Sequence, residues 1–396
     1  MTVQYDPFSD DVIHGDNHGI YKRLRDESPV HYLEAYDAFA LSRFDDVWWA
    51  CAGDFVSNAQ GATNAHLLTR VQPVLPLLNN MDPPEHSRLR GGLRKHFMPA
   101  KVRALTPWIE GLVDRLLSPF ADGGTHEFVE DFAQPLAMNV GCKVIGLPEE
   151  DGDYLRDVVG RFFRREPGHS GMTEDGLAAM GEMNDYLRRI SAEQRANPPA
   201  EPNAITVLRE YRDLEGGALD DDAIGSHLSL LLIGGTDTLP KVLANLMLRL
   251  QENPDQRAEL ADDADLAVPA FNEAVRIDMP TQNMCRLVTK PVERHGVTID
   301  EGQVIVLLYT AANRDDREFP APEKFDMKRN PPRSLGFSHG HHACIGLHVA
   351  RKEGEIAINE ILKRFPNYEV DTSGLETYAT EFVKGYSAMP VTFRSK

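Results

Sequence analysis

Apolar residues recur at three- and four-residue intervals over 101–118, 150–164 and 174–195, with charge on the opposite face of each run; this predicts three amphipathic helices. Asp220-Asp221-Asp222 opens a far more apolar run that reaches about Leu250, which predicts one long buried helix. Helical pattern also covers 264–278 and 347–362, a helix start falls at Asp45-Asp46, and the Pro- and Asn-rich segment Ala196 to Asn203 breaks the chain after the third helix. Residues 38–43 read as a short strand, and 286–309 alternate around Gly296 and Glu301-Gly302 as paired strands do. Two stretches have no period. Residues 57–80 predict a long irregular loop of the kind that covers or contacts a ligand, and Arg314 to Gly340, rich in proline and charge, predicts an ordered loop. The expected fold is mostly α with a minor β region segregated from the helices, an α+β class.

Composition narrows this picture. The chain has 396 residues but no linker, repeat or low-complexity tract, so a single domain over 1–396 is expected. Cys51, Cys142, Cys285 and Cys344 are too scattered for a disulfide framework, which points to a reducing cytoplasm. No window offers the roughly 18 apolar residues of a membrane span. A net charge of −19 argues against nucleic acid as a partner. That acidity is uneven: between His86 and Ile109 there is no Asp or Glu, whereas Arg88, Arg90, Arg94, Lys95, Lys101 and Arg103 all fall inside. Such a run in so acidic a chain suggests an anion site or an acidic partner.

The segment Phe337-Ser-His-Gly-His-His-Ala-Cys344-Ile-Gly346 sets a lone thiol in a glycine-punctuated loop just before a helix. Free backbone N–H groups and the helix dipole at that point favour a thiolate. His339, His341, His342 and Cys344 are too tightly spaced to converge on one tetrahedral zinc. A histidine base for a nucleophilic cysteine usually comes from elsewhere in a fold, and a plain buried cysteine leaves Gly340 and Gly346 unexplained. A thiolate in a tight glycine loop suits a haem iron, because small residues let the backbone approach a flat macrocycle. Phe337 would then pack near the sulfur and His342 would reach a haem propionate.

Upstream, Leu231-Leu-Ile-Gly-Gly-Thr-Asp-Thr-Leu-Pro240 interrupts the long apolar run. Glycine costs about 1 kcal/mol and proline about 3 kcal/mol inside a helix, so local propensity opposes this helix, and such conflicts gather at functional sites. Pro240 also frees the Thr236 carbonyl. Asp237 and Thr238 would make a polar groove there. Glu273 and Arg276 share a helix face at i,i+3, which alone signals little more than a surface ion pair.

Together these residues resemble the cytochrome P-450 superfamily, the haem-thiolate monooxygenases of soluble bacterial type. The resemblance runs from about Asp45 to Pro390 with the landmarks in family order. F-x-x-G-x-H-x-C-x-G is met at Phe337, Gly340, His342, Cys344 and Gly346, and G-G-x-D-T at Gly234, Gly235, Asp237 and Thr238. E-x-x-R falls at Glu273 and Arg276, A-N-R-D ends at Asn313-Arg314-Asp315, and D-P-P-x-H-x-x-x-R runs from Asp82 through His86 to Arg90.

The resemblance implies a helix-rich lobe and a small sheet-rich lobe around a buried haem b (iron protoporphyrin IX), with Cys344 as the iron's proximal ligand. His86, Arg90, Arg286 and His342 match positions that hold the propionates, and Gly234, Phe337 and Gly346 match positions lining the haem. Glu273 and Arg276 would be a buried pair bracing the cysteine loop, with Arg329 or His339 as a third member. Asp237 and Thr238 match the acid–alcohol pair that delivers protons for O2 activation. Substrate contacts would come from 57–80, 160–185, 231–235 and 281–285, including Leu77, Phe162, Phe163, Leu231 and Met284. The implied reaction inserts one oxygen atom from O2 into a hydrophobic small molecule. With no flavin or iron–sulfur module in the chain, electrons would come from a separate ferredoxin docked near Arg88, Arg94 and Lys95. The alternatives are a peroxide-driven peroxygenase and a non-catalytic haem-thiolate ligand-binding protein, both disfavoured by the Asp237-Thr238 pair.

Overall fold

The computed structural model describes residues 3–59, 67, 76–166 and 171–394. The amphipathic runs form helices Pro99–Leu117, Gly152–Phe163 and Glu174–Ala196. Local chemistry sets their starts. Pro99 occupies a first-turn position that needs no N–H partner, and Thr173 Oγ1 accepts from the Gly176 N–H at 2.9 Å as an N-cap. Asp220 does the same for the apolar run, accepting from the Ala223 N–H at 2.7 Å.

That run is not one helix. It divides at Asp237 into Asp221–Thr236 and Thr238–Glu252. The break has a physical reason: it makes Pro240 the third residue of a new helix, where an N–H has no intrahelical partner to lose. The cost of proline inside a helix is thereby avoided.

Asp221–Thr236 packs on Glu174–Ala196 and on helix Gln134–Ile145. Their shared core includes Leu228, Leu232, Met183, Leu187 and Met138, and each such side chain contributes about 1.5–3 kcal/mol by leaving water. Thr238–Glu252 belongs to a second core with Pro99–Leu117, Ala267–Ile277 and Leu347–Arg364. There Gly354 permits a close crossing, since a Cβ at that position would lie 2.3 Å from Phe271 Cδ2. Leu231 from the broken helix and Ile345 from the cysteine loop are half-buried and pack against both cores. The helix wall and the loop therefore border the same interior region.

A five-stranded sheet runs in the order Val30–Leu33, Ala38–Leu41, Val304–Leu308, Asn283–Val288, Val56–Ser57. Ala38–Leu41 and Val304–Leu308 are parallel and the other neighbours antiparallel. Two smaller sheets carry no expectation from the sequence. One is the hairpin Glu376–Ala379 with Lys384–Ala388; the other sets Pro390–Phe393 between Gly124–Glu127 and Glu369–Val370. Several of these strands are short and partly exposed without alternating burial, so they lack the period-two signature. Of the predicted 57–80 loop, residues 60–66 and 68–75 lie outside the described residues, as do 167–170 of the 160–185 segment. Among the described residues no helix is long and apolar enough to cross a membrane.

His227, in Asp221–Thr236, is 2% exposed. Its Nδ1 finds no hydrogen-bond partner, and burial pushes its pKa down to about 4. A depressed histidine stabilises the fold above its unfolded pKa, and that stability is lost as pH falls toward the folded value. Between about pH 6.5 and 4 the loss approaches about 3 kcal/mol. His227→Leu is therefore expected to flatten the decline of the thermal midpoint between pH 7.5 and pH 5. Parallel declines in variant and parent would rule the histidine out as its source.

Candidate functional site

The loop around Cys344 is built from the core outward. Arg276 grips Glu273 with a two-pronged fork, Nε to Oε2 and Nη2 to Oε1 at 2.7 Å each. The pair is almost wholly buried, and the same guanidinium donates to the Asn313 and Pro322 carbonyls at 2.7 and 3.0 Å. Arg329 Nε reaches Glu273 Oε1 at 3.0 Å, so Arg329 is the third member of this cluster. His339 is elsewhere, stacked on Trp48 with ring centres 3.6 Å apart. From Arg276 the support passes to Asn313, whose Oδ1 accepts from the Leu335 N–H at 3.2 Å. Two residues on, the Phe337 carbonyl accepts from the Cys344 N–H at 2.8 Å.

Gly340 turns the loop with φ +71°, and a Cβ there would meet the Cys51 carbonyl oxygen at 2.4 Å. Only glycine meets both demands. Gly346 lies beside the sulfur, its Cβ position 3.8 Å from Cys344 Sγ. Phe337 is half-buried beneath the Arg351 guanidinium, 5.4 Å from its ring centre.

Cys51, Cys142 and Cys285 are buried, and burial pushes Cys142 and Cys285 up to about 12. Cys344 alone has an open thiol. Burial raises its pKa too, because protein surrounds it, while the Gly346 and Leu347 N–H groups and Arg90 pull it down. The helix N-terminus acts in the direction expected from sequence but burial outweighs it. A thiolate here therefore needs a further cation at the sulfur, as a metal supplies.

Beside the sulfur lies a group of basic side chains. His86, on helix Glu85–Leu93, is 1% exposed, and neither ring nitrogen has a hydrogen-bond partner among the described residues. Burial, then Arg90 and His341, push its pKa down to about 4. Among the described residues, the acid that acts on it, Asp82, is committed to Ser57 Oγ and the Asn58 N–H. The His342 ring lies 4.1 Å from His86 and is pushed down to about 2 by burial, His86, Arg286 and Arg90. Arg90, one turn after His86, donates to the Ala343 carbonyl. Arg286 is buried on strand Asn283–Val288 and donates to the Cys285 carbonyl at 2.7 Å. His339 thus points away from His342, and among the described residues no cluster of His, Cys, Asp and Glu could hold a bare metal ion.

On the helix wall, a Cβ added to Gly234 or Gly235 would meet nothing within 4 Å. Thr238 Oγ1 donates back across the break to the Gly234 carbonyl at 3.3 Å. Asp237 is turned toward Lys241, whose Nζ is 2.5 Å from Oδ1 and 2.9 Å from the Asp237 carbonyl. Lys241 was not anticipated, although its i,i+4 spacing from an acid inside a continuous apolar run is a readable signal. Of the expected substrate contacts, Leu77, Phe162, Leu231 and Met284 are half-buried. Phe163 belongs to the core, 4% exposed and edge-on to Tyr378. Arg88, Arg94 and Lys95 are exposed. Arg94 lies close enough to His348, at the start of Leu347–Arg364, to lower its pKa, whereas Arg88 lies toward Tyr211.

This geometry agrees with what the chain is similar to. The sequence model of the cytochrome P450 family matches residues 170–380. A putative cytochrome P450 123 of Mycobacterium tuberculosis is 31% identical over 395 residues, covering 99% of this chain and 97% of its own length. A vitamin D(3) 25-hydroxylase of Pseudonocardia autotrophica is also 31% identical, with the same coverage. The crystal structure of CYP109E1 from Bacillus megaterium in complex with testosterone superposes with a TM-score of 0.85 at 25% identity, covering 96% of this chain and 98% of that one. The chain belongs to the cytochrome P450 family and is an oxidoreductase of the monooxygenase type.

Membership implies a haem-thiolate cofactor with iron. The residues fit it. An open sulfur short of a cation, orphaned buried histidine nitrogens among basic side chains, and a glycine wall with room beside it are what an iron macrocycle with two carboxylates requires.

Proposed function

We propose that this enzyme binds haem b through Cys344 and inserts one atom of O2 into a C–H or C=C bond of an apolar small molecule, with electrons from a separate ferredoxin. The observation that carries the reading is the open Cys344 sulfur in the loop whose His342 ring faces His86, a buried histidine with no hydrogen-bond partner among the described residues. His86, Arg90, Arg286 and His342 would hold the propionates, whose negative charge opposes the burial and mutual repulsion that depress these histidines. Gly234, Phe337 and Gly346 would line the macrocycle. Bound haem supplies O2 activation, with thiolate donation favouring O–O cleavage. The chain's own part is to hold and move protons: Thr238 Oγ1 is oriented by the Gly234 carbonyl, and Asp237 Oδ2 is buried without a partner. An alcohol that positions water and a carboxylate that feeds it form a proton path.

The half-buried apolar residues Leu231, Ile233, Phe162 and Phe382 support an apolar substrate. Steroids and secosteroids are the first class to titrate, given the name of one relative and the ligand of one neighbour.

The exposed cations Arg94 and Lys95, with Arg88 on the same helical stretch, support docking of an acidic ferredoxin steered by charge. Reversing all three to glutamate is expected to slow ferredoxin-driven reduction under carbon monoxide about tenfold at low salt, and to remove its salt dependence. Thermal midpoint and dithionite-reduced spectrum should stay as in the parent. Unchanged rates at every ionic strength would dismiss this surface.

A further inference from the structure

We infer that Lys241 is the positioning residue of the proton-delivery pair, fixing the Asp237 carboxylate with one oxygen occupied and the other left to relay. The inference rests on the role proposed above for Asp237 and Thr238. Asp237 and Lys241 are 10% and 7% exposed in their side chains, so this is a buried ion pair. Lys241 Nζ spans Oδ1 and the Asp237 carbonyl at 2.5 and 2.9 Å. Oδ2 is buried and has no hydrogen-bond partner among the described residues. The two oxygens of one carboxylate therefore differ: one is tied to a fixed cation, and the other is free to accept a proton from water and return it.

The lysine cannot easily swing away. Its ammonium lies over the Tyr378 ring at 4.9 Å and the Phe163 ring at 5.9 Å. Its stem is so close to strand Lys384–Ala388 that a Cβ on Gly385 would sit 2.5 Å from Lys241 Cγ. The Tyr378 hydroxyl donates to the Phe163 carbonyl at 2.6 Å, and Arg165 forms a two-pronged pair with Glu381 at 3.2 Å per arm. Among the described residues, Tyr378 is the titratable group that faces the pair directly, and Arg165 and Glu381 act on Tyr378 in turn. A lone buried carboxylate in such surroundings takes up a proton, since desolvation disfavours its charge. A fixed cation at hydrogen-bond distance opposes this.

The test uses the haem-loaded protein with a ferredoxin, its reductase and NADH, in parent, Lys241→Met, Lys241→Arg and Asp237→Asn. Hydrogen peroxide released per NADH consumed is followed from pH 6 to 8.5, and the infrared carboxyl region is recorded on the resting protein. Lys241→Met is expected to raise the peroxide ratio at least threefold. It should also give a protonated-carboxyl band, absent in the parent and abolished when Asp237→Asn is added. Lys241→Arg should restore the parent's ratio to within twofold and show no such band. If Lys241→Met does not retain haem, Lys241→Gln is read the same way. A parent-like ratio and spectrum in the neutral variant, or an arginine variant as impaired as the methionine one at normal thermal midpoint, overturns the inference. Asp237→Asn separates the two layers. If it leaves the peroxide ratio unchanged, the acid–alcohol reading itself fails; if it raises the ratio and Lys241→Met does not, only the role of Lys241 falls.

Discussion

Cys344→Ser is expected to abolish the carbon monoxide difference band of a thiolate-ligated haem, and turnover with it, while the protein still folds. The expectation follows from the inventory of sulfur in the chain. Cys51, Cys142 and Cys285 are buried in apolar clusters, and burial drives Cys142 and Cys285 up to about 12. None can replace the lost ligand without unpacking a core. A serine hydroxyl stays protonated in this setting, so it offers neither charge nor a soft donor to iron. The fold is expected to survive because the side chain at 344 supports no core packing. The backbone bond from its N–H to the Phe337 carbonyl does not depend on the sulfur. Cys142→Ser, at a buried helical position, serves as the control and should keep the band. A thiolate band that persists in Cys344→Ser would remove the basis of the proposed function.

The second large effect falls on stability. Arg276→Lys is expected to cost about 3 kcal/mol or more, in the range for breaking a buried ion pair, and to yield protein with little haem. Lysine keeps the charge but not the planar fork. It cannot bind both Glu273 oxygens while also serving the Asn313, Pro322 and Lys324 carbonyls, as Arg276 does. Glu273 would then depend on Arg329 and the Asp326 N–H alone, deep in the core. The damage should spread to the cysteine loop, because Asn313 holds Leu335 two residues before Phe337. Chemical denaturation of Arg276→Lys beside the more exposed Arg257→Lys separates a local loss from a general one. A denaturation midpoint and haem content matching the parent would show that the cluster is dispensable.

The sequence and the structure agree most closely where a single segment carries its own evidence. The glycine–cysteine loop, the amphipathic helices and the paired strands near 286–309 are each written in neighbouring residues, whose conformational limits and periodicity do not depend on distant partners. The E-x-x-R pair was visible but weak from sequence, since i,i+3 spacing is the same for a surface pair and a buried one. Its weight comes from 1% and 3% exposure, which only packing decides. The choice between Arg329 and His339 was likewise open, because both lie in a loop without a period and diverge in space. The long helix expected to reach about Leu250 divides at Asp237: the residues that disrupt it are legible in the sequence, but that the disruption starts a second helix rather than kinking and widening one is a tertiary outcome.

The amino-acid sequence alone determined the glycine–cysteine loop, the breach at Gly234 to Thr238 and the family, because these rest on residue chemistry at fixed spacing. Tertiary structure alone decided which cysteine keeps an open sulfur, how four basic side chains from three elements meet near its loop, and that Asp237 is held by Lys241. Those are properties of burial and of contacts between distant segments. Desolvation and charge pairing act only once the chain has brought such groups together.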